Sequence, residues 1–156
     1  MIGAVVLVVA FSVAARAQDL GTQKVISVDI AQTMAQAALA QCRADGYRVT
    51  ATILDNGGNV KVIVRDDGTA LATIDLSRRK AYSALIFRRT SGETAKAFGA
   101  MMPPPSVDGT VMLAGGVPIK VGTETVGAIG VSGAPGGDKD EACANAAITK
   151  VADKLK

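Results

Sequence analysis

The side chains of this chain that could do chemistry gather in a few places. Arg65-Asp66-Asp67-Gly68 sets one cation and two carboxylates beside a turn signal. Arg78, Arg79, Lys80, Arg88 and Arg89 make the densest charge cluster, and Cys42 and Cys143 are the two thiols. A Gly-rich stretch, Ser132 to Gly137, leads into Asp138, Asp140 and Glu141. There is no His, which removes the usual general base near neutral pH, the commonest zinc ligand and every His-dependent triad. Ser132 is followed two residues on by Ala134 rather than Gly, so the nucleophile-elbow pattern is not met. Lys80 remains as a lone proton-transfer base or a Schiff-base amine. Acid–base work by a carboxylate pair drawn from Asp66, Asp67, Asp138 and Asp140 needs two of them to converge to about 5–9 Å.

Each feature has a plainer reading beside the functional one. The Gly-rich stretch has the outline of a phosphate loop but lacks the GxxxxGK[ST] pattern, and the acids that follow it would repel a phosphate. Local capping of a helix accounts for those acids; a cation site is the other reading, without EF-hand spacing. Arg65 to Gly68 reads as a solvated turn or as the polar rim of an anionic ligand site. The Arg-rich cluster reads as surface charge, as part of an anion pocket, or as an oligomer contact.

Lys plus Arg total 17 against 14 Asp plus Glu, a formal net charge of +3 that gives no warrant for nucleic acid binding. The absence of Trp, with two Tyr and three Phe, argues against an aromatic stacking platform for bases or sugars. Met1 to Ala15 is an apolar run that ends in Ala15-Arg16-Ala17, the small-residue pattern read by signal peptidase. Residues 1–17 are therefore expected to be a signal peptide, 18–26 a flexible leader, and 27–156 one domain, placing the protein in the periplasm or outside the cell. The run lacks a basic leader, so an uncleaved anchor and a buried helix are the alternatives, although it is shorter than the roughly 20 residues that span a bilayer. Charges interrupt every later apolar run, so no stable membrane insertion is expected after cleavage. In an exported chain Cys42 and Cys143 are read as a disulfide, with free buried thiols as the alternative.

The elements that must position these residues follow from periodicity and turn chemistry. Ser27 caps a helix over 28–45, with Ile30, Met34, Ala38 and Cys42 as its inner stripe and Gly46 as its stop. Residues 49–54 and 59–65 form a hairpin around Asp55-Asn56-Gly57-Gly58, with Val60, Val62 and Val64 on one face and Lys61, Ile63 and Arg65 on the other. Residues 73–89 form a helix that carries the basic cluster. A short helix over 91–98 is capped by Ser91, and Met101-Met102-Pro103-Pro104-Pro105 makes an extended loop. Three short strands follow at 110–113, 117–120 and 125–131, then a helix over 138–155 with acids first and lysines last. Hairpins imply an antiparallel sheet, and long helices at both ends of the chain can cover it.

These pieces resemble the GlcG/HbpS-like family of haem-degrading domains. The resemblance runs over about residues 27–155 and rests on five segments in order: VTATILDNGGNVKVIVRDDG, SRRKAYSA, GGVPI, VGAIGVSG and DKDEACANAAI. It implies an α/β (α+β), profilin-like fold with a five-stranded antiparallel sheet and helices on both faces. It also implies homo-oligomers, dimeric or larger, and in some members binding of haem or ferric iron. The exported form with two cysteines is similar to the periplasmic subgroup. The missing His sets this chain apart from haem-binding members, leaving Tyr47, Tyr82, Met101, Met102, Met112, a free Cys or a hydroxyl as iron donors. Tyr82 is the better of the two phenols, with Arg78 or Lys80 available for the propionates.

The leading expectation is an exported binding or accessory module for haem or another anionic ligand, with no assigned catalytic or metal residue. Its ligand-binding set is Arg65, Asp67, Arg78, Lys80, Tyr82, Gly115 and Gly116. The alternatives are a structural oligomer whose glycines and Arg-rich helix serve subunit packing, and a weak periplasmic enzyme in which Lys80 or an Asp transfers protons.

Overall fold

The structure, a computed structural model, describes residues 21–99, 101 and 107–156. The expected signal peptide and most of the Met-Pro loop lie outside the described residues. Helix α1 (Val28–Ala44) starts where Ser27 accepts a hydrogen bond from the Ile30 N–H, as its capping chemistry requires. Strands β1 (Thr50–Asp55) and β2 (Val60–Arg65) are joined by the Asp55–Gly58 turn. There Asp55 accepts from the Gly57 and Asn59 N–H groups, and Gly58 takes the positive φ of +81°. Helices α2 (Ala72–Phe87) and α3 (Ser91–Phe98) follow, then β3 (Gly116–Val121), β4 (Glu124–Ser132), α4 (Gly137–Lys150) and a 3-10 turn, Ala152–Lys154.

The sheet is antiparallel with helices on both faces, but among the described residues it has four strands, in the order β2-β1-β4-β3, not five. This corrects the expected five-stranded, profilin-like architecture; the topology gives no support to a profilin-like fold. The missing strand is residues 110–113, whose backbone groups are claimed by α2 instead. The Ser83 hydroxyl accepts from the Val111 N–H and donates to the Val111 carbonyl, both at 2.8 Å, and Arg79 donates to the Thr110 carbonyl. With those groups satisfied by side chains, the segment has no need of a sheet partner.

Two further boundaries differ. Thr90, not Ser91, caps α3, in a capping box with Glu93; Ser91 is buried and its hydroxyl accepts from the Gly116 N–H. In the hairpin, pairing passes from Ile53 with Val62 to Leu54 with Val60, so Lys61 bulges out and Val60 is exposed rather than sharing a buried face.

The two faces of the sheet are built differently. Ala51, Ile53, Ile129 and Val131 meet the apolar stripes of α1 and α4, and each fully buried Ile or Val there stabilises the fold by roughly 1.5–3 kcal/mol. The opposite face packs α2 through small and hydroxyl-bearing side chains: Thr50 bonds Thr73 at 2.8 Å and Thr52 bonds Ser77 at 2.7 Å. Gly116 and Gly130 pair across β3 and β4, and a Cβ on either would collide with a backbone carbonyl of α2, that of Lys80 or Ser77 respectively. This close approach sets the depth of Lys80.

Candidate functional site

Lys80 lies on the inner face of α2, with Ser77, Ala81 and Ala84, so its ammonium points into the protein and not toward solvent. Only 4% of the residue is exposed. Its Nζ donates to Asp140 Oδ2 at 2.7 Å and to the Val131 carbonyl at 3.2 Å. Asp140, in the first turn of α4, is equally buried, and its Oδ1 accepts from the Ala134 N–H at 2.9 Å. One pair thus ties α2, β4, the Gly-rich loop and α4 together. Burial pushes the Asp140 carboxyl above its ordinary range, opposed by the hydrogen bond and charge of Lys80.

The pair borders a recess of about 400 Å³. Its walls are the start of α2 (Ala72, Thr73, Leu76), the segment Leu113–Ala114, and the loop from Ser132 to Gly137. Small or apolar side chains make most of the wall, and Lys80 and Asp140 are the charged groups on it. Such a volume falls within the roughly 300–1,000 Å³ of small-molecule sites.

Of the residues singled out in the sequence, the structure gathers three here. Gly115 and Gly116 lie against Lys80, and a Cβ on Gly115 would press on both the Lys80 and Asp140 side chains. The others stand apart. Arg65 and Asp67 are exposed, while Asp66 between them is buried and held by Arg43 through a two-point contact at 2.8 and 2.9 Å, with Arg48 at 3.4 Å. Arg78 pairs with Asp75 at 3.0 Å. Tyr82 packs beneath Gly58 and Gly109 and lines a separate cavity of about 270 Å³ with Arg88 and Leu85. Cys42 and Cys143 form a disulfide with a Cα–Cα distance of 5.6 Å.

The sequence offers Asp140 as a helix-dipole acid and as one of four carboxylates for acid–base work, but not as the partner of Lys80. The signal was there: positions 140, 143, 144 and 147 form the buried stripe of α4, so a carboxylate sits on an apolar face. Ser91, expected as a helix cap, instead accepts a hydrogen bond from the Gly116 N–H.

A family model described as "Haem degrading protein HbpS-like" matches residues 26–149. The chain belongs to the HbpS-like family. HbpS of Streptomyces reticuli, solved as a double mutant, is 34% identical and superposes with a TM-score of 0.81 over 90% of this chain and 97% of that one. A protein of Citrobacter freundii encoded in a dhaT-dhaS intergenic region is 30% identical over 126 residues, 76% of this chain and 84% of its own. Protein GlcG of Escherichia coli K12 is 28% identical over 112 residues, 71% of this chain and 84% of that one.

The family name raises haem, and the donor set of this HbpS-like chain can be tested for it. The Lys80 recess does not fit haem: among the described residues no Tyr, Met or thiol lines it to ligate iron, and both cysteines are spent in the disulfide. Tyr82 and Arg88 do share a cavity, which at about 270 Å³ is below the usual range for an enclosed site. Among the described residues no three Asp, Glu or Cys side chains gather as a metal site, and no helix is long and apolar enough to cross a membrane.

Proposed function

We propose that this HbpS-like chain is an exported binding module whose ligand is a small organic molecule, with one polar group directed at Lys80. The observation that carries the reading is a buried ammonium–carboxylate pair on the wall of an otherwise small and apolar recess. Removing one member of such a pair typically costs about 3–5 kcal/mol, whereas a well-packed apolar replacement of both is often neutral or stabilising, so the fold alone does not require the charges. The disulfide and the apolar N-terminal run support export to the periplasm or beyond. The module acts as a homo-oligomer in this reading; Ile63, Ile74 and Ile86 are exposed apolar side chains available for a subunit contact.

Haem is the second reading, favoured by the family's description as haem-degrading and by Tyr82 and Arg88 lining one cavity. A single set of titrations separates the two. Propionate added to labelled mature protein is expected to shift the amide signals of Ala114, Ala134 and Gly136, and the Lys80→Met/Asp140→Leu double variant to lose that response while melting cooperatively. Haemin, followed in the Soret band, is expected to give a linear, unsaturable response. A saturable band that Tyr82→Phe abolishes would overturn the first reading in favour of haem, as would propionate shifts confined to the Tyr82 cavity.

A further inference from the structure

We infer that Lys80 is a covalent capture residue: its amine forms an imine with a short-chain aldehyde held in the recess, and Asp140 moves the protons that the step requires. The inference deepens the binding reading above and rests on it.

Four observations carry it. Lys80 is buried to 4% exposure on the wall of a cavity, whereas Lys96, Lys120, Lys139 and Lys150 project into solvent. Its Nζ has a carboxylate at 2.7 Å and a carbonyl at 3.2 Å, so one of its three protons has no protein acceptor among the described residues. Ala72, Ala114, Gly133 and Ala134 are among the residues that line the recess, and its volume of about 400 Å³ has room for a body of a few carbons. Beyond the pair itself no cation among the described residues lines the recess, so the single ammonium of Lys80 can face a carboxylate or a carbonyl but not the double charge of a phosphorylated aldehyde.

The step balances within the recess. A proton passes from Nζ to Asp140 Oδ2, leaving a neutral amine and a carboxylic acid. The nitrogen lone pair bonds to the aldehyde carbon, and the carbonyl oxygen takes the proton from Asp140. The new ammonium returns a proton to Oδ2, and Asp140 delivers it to the hydroxyl. The C–O bond then breaks, water leaves, and the nitrogen lone pair closes the C=N bond. Aldehyde and ammonium become iminium and one water; no oxidant or reductant takes part, and hydrolysis reverses the step. An iminium–carboxylate pair replaces the ammonium–carboxylate pair, so the charge of the recess is unchanged. Burial already holds the Asp140 carboxyl toward its protonated form, which suits it to this shuttling.

The test uses the mature chain, propanal as the probe, and sodium cyanoborohydride to trap the imine as a stable propyl-lysine located by peptide mass mapping. Lys80 is expected to be labelled at least about tenfold faster than Lys120 or Lys150 despite its burial, and Asp140→Asn to slow Lys80 alone by about tenfold or more. Should Asp140→Asn fail to fold, propionate serves in its place: it should protect Lys80 in the unaltered chain and leave Lys120 untouched. Labelling of Lys80 at or below the rate of the exposed lysines would overturn the inference. If propionate still shifts the recess amides in that case, covalent capture falls and the binding reading stands; if it does not, both fall.

Discussion

Asp66 and Asp140 are both buried carboxylates beside a cation, yet their surroundings drive proton affinity in opposite directions. The two-point hydrogen bond from Arg43 holds Asp66 well below the usual carboxylate range, outweighing its burial. For Asp140 burial is the larger influence and Lys80 only offsets it, so the carboxyl is raised. The linkage signs differ accordingly. Asp66 stabilises the fold above the ordinary carboxylate range, and that stability is lost as pH falls through its depressed folded value. The contribution of Asp140 is fully present below its ordinary value and is lost as pH rises through its elevated one. Denaturation of Asp140→Asn against the unaltered chain is therefore expected to show a stability gap that widens from about pH 7 to about pH 4. For Asp66→Asn the gap should narrow on further acidification, and a gap independent of pH in either case would contradict the assignment. Sequence marked Lys80 as a chemical candidate but could not pair it, because its partner lies 60 residues away and the two meet only where Lys80 reaches past Val131 of β4 to the first turn of α4.

At the scale of elements, α2 decides most of the site. Its inner face of Thr73, Ser77, Lys80, Ala81, Ser83 and Ala84 has little bulk, and the Gly116–Gly130 pair lets its backbone settle onto the sheet. The apolar stripes of α1 and α4 were legible from spacing, since burial against a hydrocarbon core leaves a 3.6-residue signature. The interface under α2 leaves a fainter one, because hydroxyls and glycines read as surface or turn residues. The same limit explains the expected strand at 110–113: an apolar run whose backbone is held by Ser83 looks like a strand until its partner is known. Ser83→Ala removes both of those bonds and strands a part-buried N–H, at an expected cost of about 1–3 kcal/mol. Urea denaturation gives the cost, and amide exchange at Val111 should accelerate with it; an unchanged Val111 exchange rate would show that the segment is held by something else.

For the whole molecule, the Cys42–Cys143 bond closes a loop spanning 101 residues and clamps α1 to α4 on the face opposite α2. Replacing both cysteines with Ala is expected to cost about 2–5 kcal/mol, read as a lower thermal midpoint, while the fold and four-stranded sheet persist. A variant as stable as the parent would show that the apolar core alone sets the docking of α1 on α4. The sequence by itself determined the order of the four helices, the hairpin around Asp55–Gly58 and the family, and it favoured the disulfide, because caps, turn glycines and helical stripes act over a few residues and are written locally. The tertiary structure alone decided the strand count, the depth of Lys80, its pairing with Asp140 and the recess beside them. Those depend on which backbones approach one another, and competition among distant partners for buried polar groups leaves no short-range pattern to read.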